Sequence, residues 1–154
     1  MIFSSNKVLA ISSPGGHWIQ LNKICNKLEL KQEIIYASPR SQYQLKQQNQ
    51  RTVHNILDAS ADNKLTLIPL AFQLLYILLK ERPKAIVSTG AAPGVVAVLL
   101  GKILRIRTIW IDSIANVQQL SRSARLIKAH ATVVVTQWQP LSDDKTVFYK
   151  GSVL

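Results

Sequence analysis

The chain has 154 residues, 47% of them hydrophobic and 18% charged. That is one domain's length with enough apolar content to bury a core, so it excludes intrinsic disorder and any need for a disulfide or metal staple. A net charge of +11 points to a polyanionic neighbour: nucleic acid, an anionic membrane face, or a phosphate-bearing substrate. A lone Cys25 and three scattered histidines, His17, His54 and His130, speak against a disulfide framework and a zinc site, and no metal or cofactor is expected.

The N-terminus leads straight into an apolar, strand-like run over Lys7–Ser12. This predicts no signal peptide, and a cytosolic location follows. Trp18, Leu21, Ile24, Cys25 and Leu28 recur at helical spacing. Ile34–Ala37 reads as a second strand, the Gln-rich 40–51 stretch as a loop or exposed helix, and Val53–Leu57 as a third strand. Leu65–Arg82 predicts a long apolar helix closed by Pro83. Its stretch from Leu65 to Leu79 contains Pro69 and Gln73 and is too short to span a bilayer. A buried crossover helix is the favoured reading there, and a helix lying on a membrane surface the minor one. Ala85–Ser88 is a strand, Pro93 opens a helix over Gly94–Leu104, and Thr108–Ile111 is a strand. Val117, Leu120, Ala124 and Ile127 mark another amphipathic helix. Ala131–Val135 is apolar throughout, as a strand covered on both faces is. Val147–Tyr149 makes a last short strand. The alternation predicts a single Rossmann-like α/β domain over residues 1–154, a doubly wound and mostly parallel sheet.

Ligands of such sheets bind beyond the carboxyl ends of the strands. Four strand ends carry unusual residues: Ser12-Ser-Pro-Gly-Gly-His17, Ser88-Thr-Gly-Ala-Ala-Pro-Gly94, Asp112-Ser-Ile-Ala-Asn116 and Thr136-Gln-Trp138. Glycines at a strand-to-helix turn let backbone N–H groups approach a phosphate or diphosphate. The dinucleotide fingerprint, the P-loop and the hydrolase elbow are all absent. His17 follows two glycines at the mouth of the first turn, where it either takes a proton from a hydroxyl or hydrogen-bonds the loop. His54 and His130 read as structural or solvated. Asp112 either binds sugar hydroxyls or caps the next loop, the cap being favoured. Trp110 reads as core. Lys102, Arg105, Arg107, Arg122, Arg125 and Lys128 form a basic stretch in which Asp112 is the one acid; a solvated face is the commoner reading of such a stretch, and its excess would also suit anionic lipid headgroups or, less well, a nucleic-acid backbone. Aromatics amount to 6% and are not interleaved with these charges, which disfavours base stacking.

The ordered set Pro14-Gly-Gly-His17, Ser88-Thr-Gly-Ala-x-Pro-Gly94, Trp110-Ile-Asp-Ser113, Leu120-Ser121, Thr136-Gln-Trp138 and Tyr149-x-Gly151 resembles the PssD/CpsF-type proteins of bacterial polysaccharide biosynthesis. These are similar to the membrane-anchoring subunit of the eukaryotic dolichol-linked N-acetylglucosamine transferase and, more distantly, to the N-terminal half of MurG. The resemblance implies the acceptor-side half of a GT-B glycosyltransferase whose sugar-nucleotide half is a separate partner chain. It implies sugar transfer, with inversion, from a UDP-sugar to a lipid-linked diphosphate saccharide, in peripheral contact with the inner face of an anionic membrane. His17 would be the base or acceptor-positioning group, and Gly15, Gly16, Gly90, Ala91, Pro93, Gly94, Asp112 and Asn116 would line the acceptor site. The chain departs from the pattern at Asp112 (where Glu is usual), Asn116 (where Arg is usual) and Arg122-Ser123 (where Thr-Gly is common). A non-catalytic membrane scaffold that recruits a catalytic chain is the alternative, and a basic nucleic-acid-binding domain a distant third.

Overall fold

The computed structural model describes residues 6–28, 32–39, 52–60 and 63–152; the Gln-rich 40–51 stretch lies outside them. Seven strands form one sheet: β1 (Lys7–Ser12), β2 (Glu33–Pro39), β3 (Val53–Ile56), β4 (Ala85–Gly90), β5 (Arg107–Ile111), β6 (Val133–Thr136) and β7 (Val147–Tyr149). Their order is β3-β2-β1-β4-β5-β6-β7, and every pairing is parallel. The order reverses between β1 and β4, which opens a crevice at their carboxyl ends.

Helix α1 (Gly16–Leu28) buries Trp18, Leu21 and Cys25 on one stripe against β1, β2 and β4. Helices α2 (Lys64–Glu81), α3 (Ala91–Ile103) and α4 (Arg122–Ile127) cover the other face. In α2, Leu70, Leu74, Ile77 and Leu78 point inward at helical spacing. The helix ends as expected: Arg82 turns left-handed at φ 49, and Pro83 follows. Gln73, the polar interruption in that helix, takes the Leu57 N–H at 2.8 Å and donates to the Asn55 carbonyl at 2.9 Å. It thereby ties down the edge just past β3.

Four expectations change. Helix α3 begins at Ala91 rather than Gly94, so Pro93 is its third residue. The helix expected from Val117 shrinks to Arg122–Ile127, because the Ser121 hydroxyl accepts the Ala124 N–H at 2.9 Å and starts the helix there. Strand β6 is not covered on both faces: Val134 is buried, while Val133 and Val135 are half-buried. The favoured reading of α2 as a buried helix holds for one side only, since Leu65, Ile68, Phe72, Tyr76 and Leu79 are exposed.

His54 is structural. Its Nε2 lies 3.0 Å from Glu81, which also receives a hydrogen bond from Lys7 at 2.9 Å. The Lys7 ammonium, with His54 adding to it, holds the Glu81 carboxyl below its ordinary value, and Glu81 raises Lys7. His130 lies 2.9 Å from the Lys102 ammonium. Trp110 is wholly buried, as expected for core.

Candidate active site at the ends of β1 and β4

The loop after β1 turns through Gly15 at φ 82 and enters α1 at Gly16. Both glycines are exposed, and a Cβ on either would meet nothing within 4 Å. The first turn of α1 contains no acidic residue, and a helix start carries free N–H groups and a partial positive charge. Across the crevice, β4 ends at Gly90, which caps α3 without a side-chain bond. The first turn of α3 is likewise free of acids. Two helix N-termini thus face one crevice with no acidic residue in either first turn, a setting that favours an anion.

His17 joins the two loops. A Cβ built on Gly90 would stand 2.6 Å from His17 Cε1 and 2.7 Å from Nδ1, so the imidazole occupies the space a side chain would need. Gly90 also has φ 143 and ψ −178, a region open in practice to glycine alone. The Thr89 hydroxyl donates to the His17 carbonyl at 2.7 Å and locks the loops together. His17 Nδ1 is buried with no hydrogen-bond partner among the described residues. Trp18 beside it fills the floor, edge-on to Tyr36 at 5.6 Å between ring centroids.

The remaining expected site residues divide. Gly15, Gly16, His17, Gly90 and Ala91 line the two facing turns. Pro93 and Gly94 are buried in α3. Gly94 packs on Ser88 Oγ and stands 3.0 Å, measured from a built Cβ, from the Trp110 ring. A glycine there serves close helix–strand packing.

Asp112 is 2% exposed. Its carboxylate accepts the Ser121 N–H at 2.8 Å and the Trp110 indole N–H at 3.4 Å. Its carbonyl accepts from the Gln20 and Gln137 side-chain amides at 3.2 and 2.9 Å. The geometry is that of the capping role, extended to a knot joining α1, β5, the end of β6 and α4. Asn116 sits half-buried in the loop that this knot holds, its N–H on the Ser113 carbonyl at 3.0 Å. Gln20 and Gln137 were missed by sequence reasoning. The Thr136-Gln-Trp138 strand end signalled the second, while Gln20 looked like an ordinary polar helix position.

The six basic residues do not form one patch. Lys102, Arg105 and Arg107 line a hollow at the foot of β5, the end away from the crevice, and Lys128 closes α4 at that end. Arg122 and Arg125 instead border a separate groove of about 730 Å³ between α2, α3 and α4, with Lys64, Leu67, Leu99 and Leu126.

The family model described as "Oligosaccharide biosynthesis protein Alg14 like" matches residues 9–153. The chain belongs to that family. Two curated proteins of Cryptococcus neoformans var. neoformans serotype D, both named UDP-N-acetylglucosamine transferase subunit ALG14, are 32% and 33% identical to it over 96 and 97 residues. The alignments cover 56% of this chain and 42% of each relative, so the chain spans less than half the length of these relatives. Among solved structures, MurG of Acinetobacter baumannii superposes with a TM-score of 0.78 at 13% identity, over 94% of this chain and 45% of that one. A UDP-N-acetylglucosamine 2-epimerase of Rickettsia bellii gives 0.72 at 14%, over 96% and 45%. At these identities the likeness is one of fold: this Alg14-like chain has the Rossmann-like architecture found in half of each of those molecules. Among its described residues no group of His, Cys, Asp and Glu is placed to hold a metal ion, and no helix is long and apolar enough to cross a membrane.

Proposed function

We propose that this Alg14-like chain is the acceptor-binding, membrane-associating subunit of a two-chain glycosyltransferase, close in kind to the PssD/CpsF-type proteins. It acts with a partner chain that holds a UDP-sugar and transfers the sugar to a lipid-linked diphosphate saccharide. The observation that carries the reading is the His17–Gly90 junction, one imidazole seated between two converging, acid-free helix N-termini. UDP-N-acetylglucosamine is the donor to try first, because the curated relatives are named as subunits of its transferase.

The chemistry follows from the placement. The acceptor's diphosphate lies toward the N–H groups of Gly16 and Ala91, where helix dipoles and free donors favour negative charge. The acceptor hydroxyl gives its proton to His17 Nε2 as its oxygen forms a bond to the anomeric carbon. The bond from that carbon to UDP breaks, UDP leaves with the electron pair, and the configuration inverts. The leaving diphosphate is stabilised by the partner. Asp112 acts at a distance, holding the loop that carries Asn116.

Membrane contact is assigned to the outer side of α2–α4. Leu65 is 80% exposed and Phe72 70%, and Lys64, Arg122 and Arg125 stand beside the apolar groove. Apolar side chains among cations suit an anionic leaflet, the inner face of a cell membrane. Replacing Phe72 with Asp and Arg125 with Glu should release the chain from phosphatidylglycerol vesicles in a flotation assay. Undiminished binding would remove this surface.

The test of the whole reading is to purify the chain with its partner from gently solubilised membranes of its host and assay the pair. His17→Ala should cut turnover by about 10²–10⁴-fold, the usual range for a lost acid–base group, with partner binding unchanged. One observation favours a second reading, the non-catalytic scaffold: His17 Nδ1 has no carboxylate or carbonyl to orient it. Unchanged turnover in His17→Ala would establish that reading. Nucleic-acid binding with a steep salt slope would point instead to the third.

A further inference from the structure

Helix α3 ends in a turn that suits glycine and holds arginine. The Ile106 N–H donates to the Gly101 carbonyl at 2.8 Å and the Arg105 N–H to the Lys102 carbonyl at 3.2 Å. This paired closure puts one residue in the left-handed region, where glycine is usual. Arg105 stands there at φ 57, a conformation that a residue with a side chain enters at a cost. The position is exposed, so the core does not call for a long side chain. Next to it, Arg107 opens β5, and a clasp joins β5 to the residue before β6. The Thr132 hydroxyl accepts the Thr108 N–H at 3.0 Å, and the Thr108 hydroxyl accepts the Thr132 N–H at 3.0 Å. On the far side, the Lys102 ammonium meets His130 Nδ1. An ammonium has only protons to give, so Nδ1 accepts and the ring proton sits on Nε2. These six residues line one open hollow of about 230 Å³ at the end of the sheet away from the crevice.

Every one of these side chains has a proton to offer. The two guanidinium groups and the ammonium are donors only. His130 keeps its Nε2–H, and neither threonine hydroxyl proton has an acceptor among the described residues. No acid lines this hollow or the one of about 600 Å³ beside it, which shares Arg105, Arg107 and Thr132. Among the described residues, Lys102, Arg105 and Arg107 have no carboxylate partner. A solvated basic face needs neither a lysine set on a histidine nor an arginine held in a glycine conformation. A set of donors matches a ligand group that only accepts. A phosphomonoester is that group: it carries up to two negative charges and three strong acceptor oxygens. A phosphodiester, as in a nucleic-acid backbone, brings one charge and fewer free oxygens. The apolar part of the wall, Ile106 and Ala131, is buried or half-buried, so the hollow projects nothing into a bilayer and suits a soluble ligand. We infer that the foot of β5 and β6 is a binding site for the phosphate of a soluble phosphomonoester, separate from the crevice. This site does not depend on the transferase reading.

The test titrates the purified full chain with methyl phosphate at constant ionic strength and about pH 8, where a phosphomonoester is doubly charged. Proton–nitrogen spectra follow the His130 ring and the Thr132 amide at the foot, and the Gly15 and Gly16 amides at the crevice. The foot signals should move and saturate. Dimethyl phosphate, with one charge fewer, should need about tenfold more to reach the same shift. Arg105→Gly should weaken methyl phosphate at the foot by at least about tenfold, with the crevice signals responding as in the wild type. Glycine holds the left-handed turn freely, so the melting temperature of Arg105→Gly should not fall, and lost binding cannot be put down to lost fold. Arg82→Gly is the control: it replaces the other left-handed arginine that closes a helix, outside the hollow, and should leave the titration unchanged. Shifts that never saturate, equal response to dimethyl phosphate, or full binding by Arg105→Gly would each overturn the site. Binding to phosphatidic acid vesicles without binding to methyl phosphate would overturn the soluble ligand and assign the hollow to a lipid headgroup.

Discussion

The ends of β4 and β5 lie side by side, begin from similar sequence signals, and do opposite things. Each leads from an apolar strand into small or polar residues at the mouth of the crevice. At Asp112 every visible demand is met: the carboxylate accepts two N–H groups, the carbonyl accepts two amides, and the residue is 2% exposed. At Gly90 little is met. The imidazole seated on it has a buried nitrogen without a partner, and the helix behind it has no side-chain cap. Polar groups left unmet at a strand end cost stability and are what a ligand can satisfy, whereas groups already paired gain less from one. The contrast makes the Gly90 end the first place to test for a ligand.

The largest stability effect should come from opening the knot. Asp112→Ala leaves the Ser121 and Trp110 N–H groups without acceptors in a buried place, at a cost of about 3 kcal/mol by urea unfolding. Asp112→Asn should recover part of it, because one amide oxygen still accepts. A loss below about 1 kcal/mol would mean that the knot is decorative and that Asp112 is free for substrate after all.

Gly90→Ala comes next. It forces a methyl into the His17 ring and a glycine-only backbone conformation onto alanine, at about 2 kcal/mol. The His17 imidazole resonances should move in a proton–nitrogen correlation spectrum, while those of His54 and His130 stay in place. Gly15→Ala is the control: φ 82 is strained, but no atom lies within 4 Å, so the cost should be about 1 kcal/mol with His17 undisturbed. Equal disturbance of His17 in both variants would break the claim that Gly90 is its seat.

The smallest effect lies far from the crevice, at the Lys7–Glu81–His54 cluster. Glu81 titrates below its ordinary value because Lys7 donates to it. Its stabilising contribution is therefore complete above the ordinary carboxylate value and is lost as pH falls through the depressed one. Wild type should exceed Glu81→Gln in melting temperature between about pH 5 and 9, and the gap should close below about pH 4. A gap that widens in acid would reverse the assignment.

Much of this was legible from local pattern. Short apolar runs and helical-period stripes place all seven strands and the four described α-helices, because a covered strand is apolar throughout and a helix with one buried face repeats at its own period. Lys7–Ser12 is a strand to the residue, and Pro83 does follow the left-handed end of α2. The Gly15-Gly16-His17 and Thr89-Gly90 turns were recognisable as strand-end glycine turns. What shifted was set by contacts that near neighbours in sequence do not show. The helix expected from Val117 starts late because Ser121 caps it while the Asp112 carboxylate, just past β5, holds the Ser121 N–H. The structural role of His54 comes from Glu81, 27 residues away. Lys102 and Arg122 look like one basic stretch in the chain, yet they line different hollows, because α3 and α4 carry them to different places.

By itself, the sequence determined the main element types, the parallel α/β class and the two glycine turns that face each other at the crevice, since periodicity and glycine turns are local chemistry. Only the tertiary structure decided that His17 rests on Gly90, that the Asp112 carboxylate takes the Ser121 and Trp110 N–H groups, and that β5–β7 are half-buried on one face among the described residues. Those facts depend on which strand neighbours which and on the hand of each crossover, and the chain settles both only when distant segments pack together.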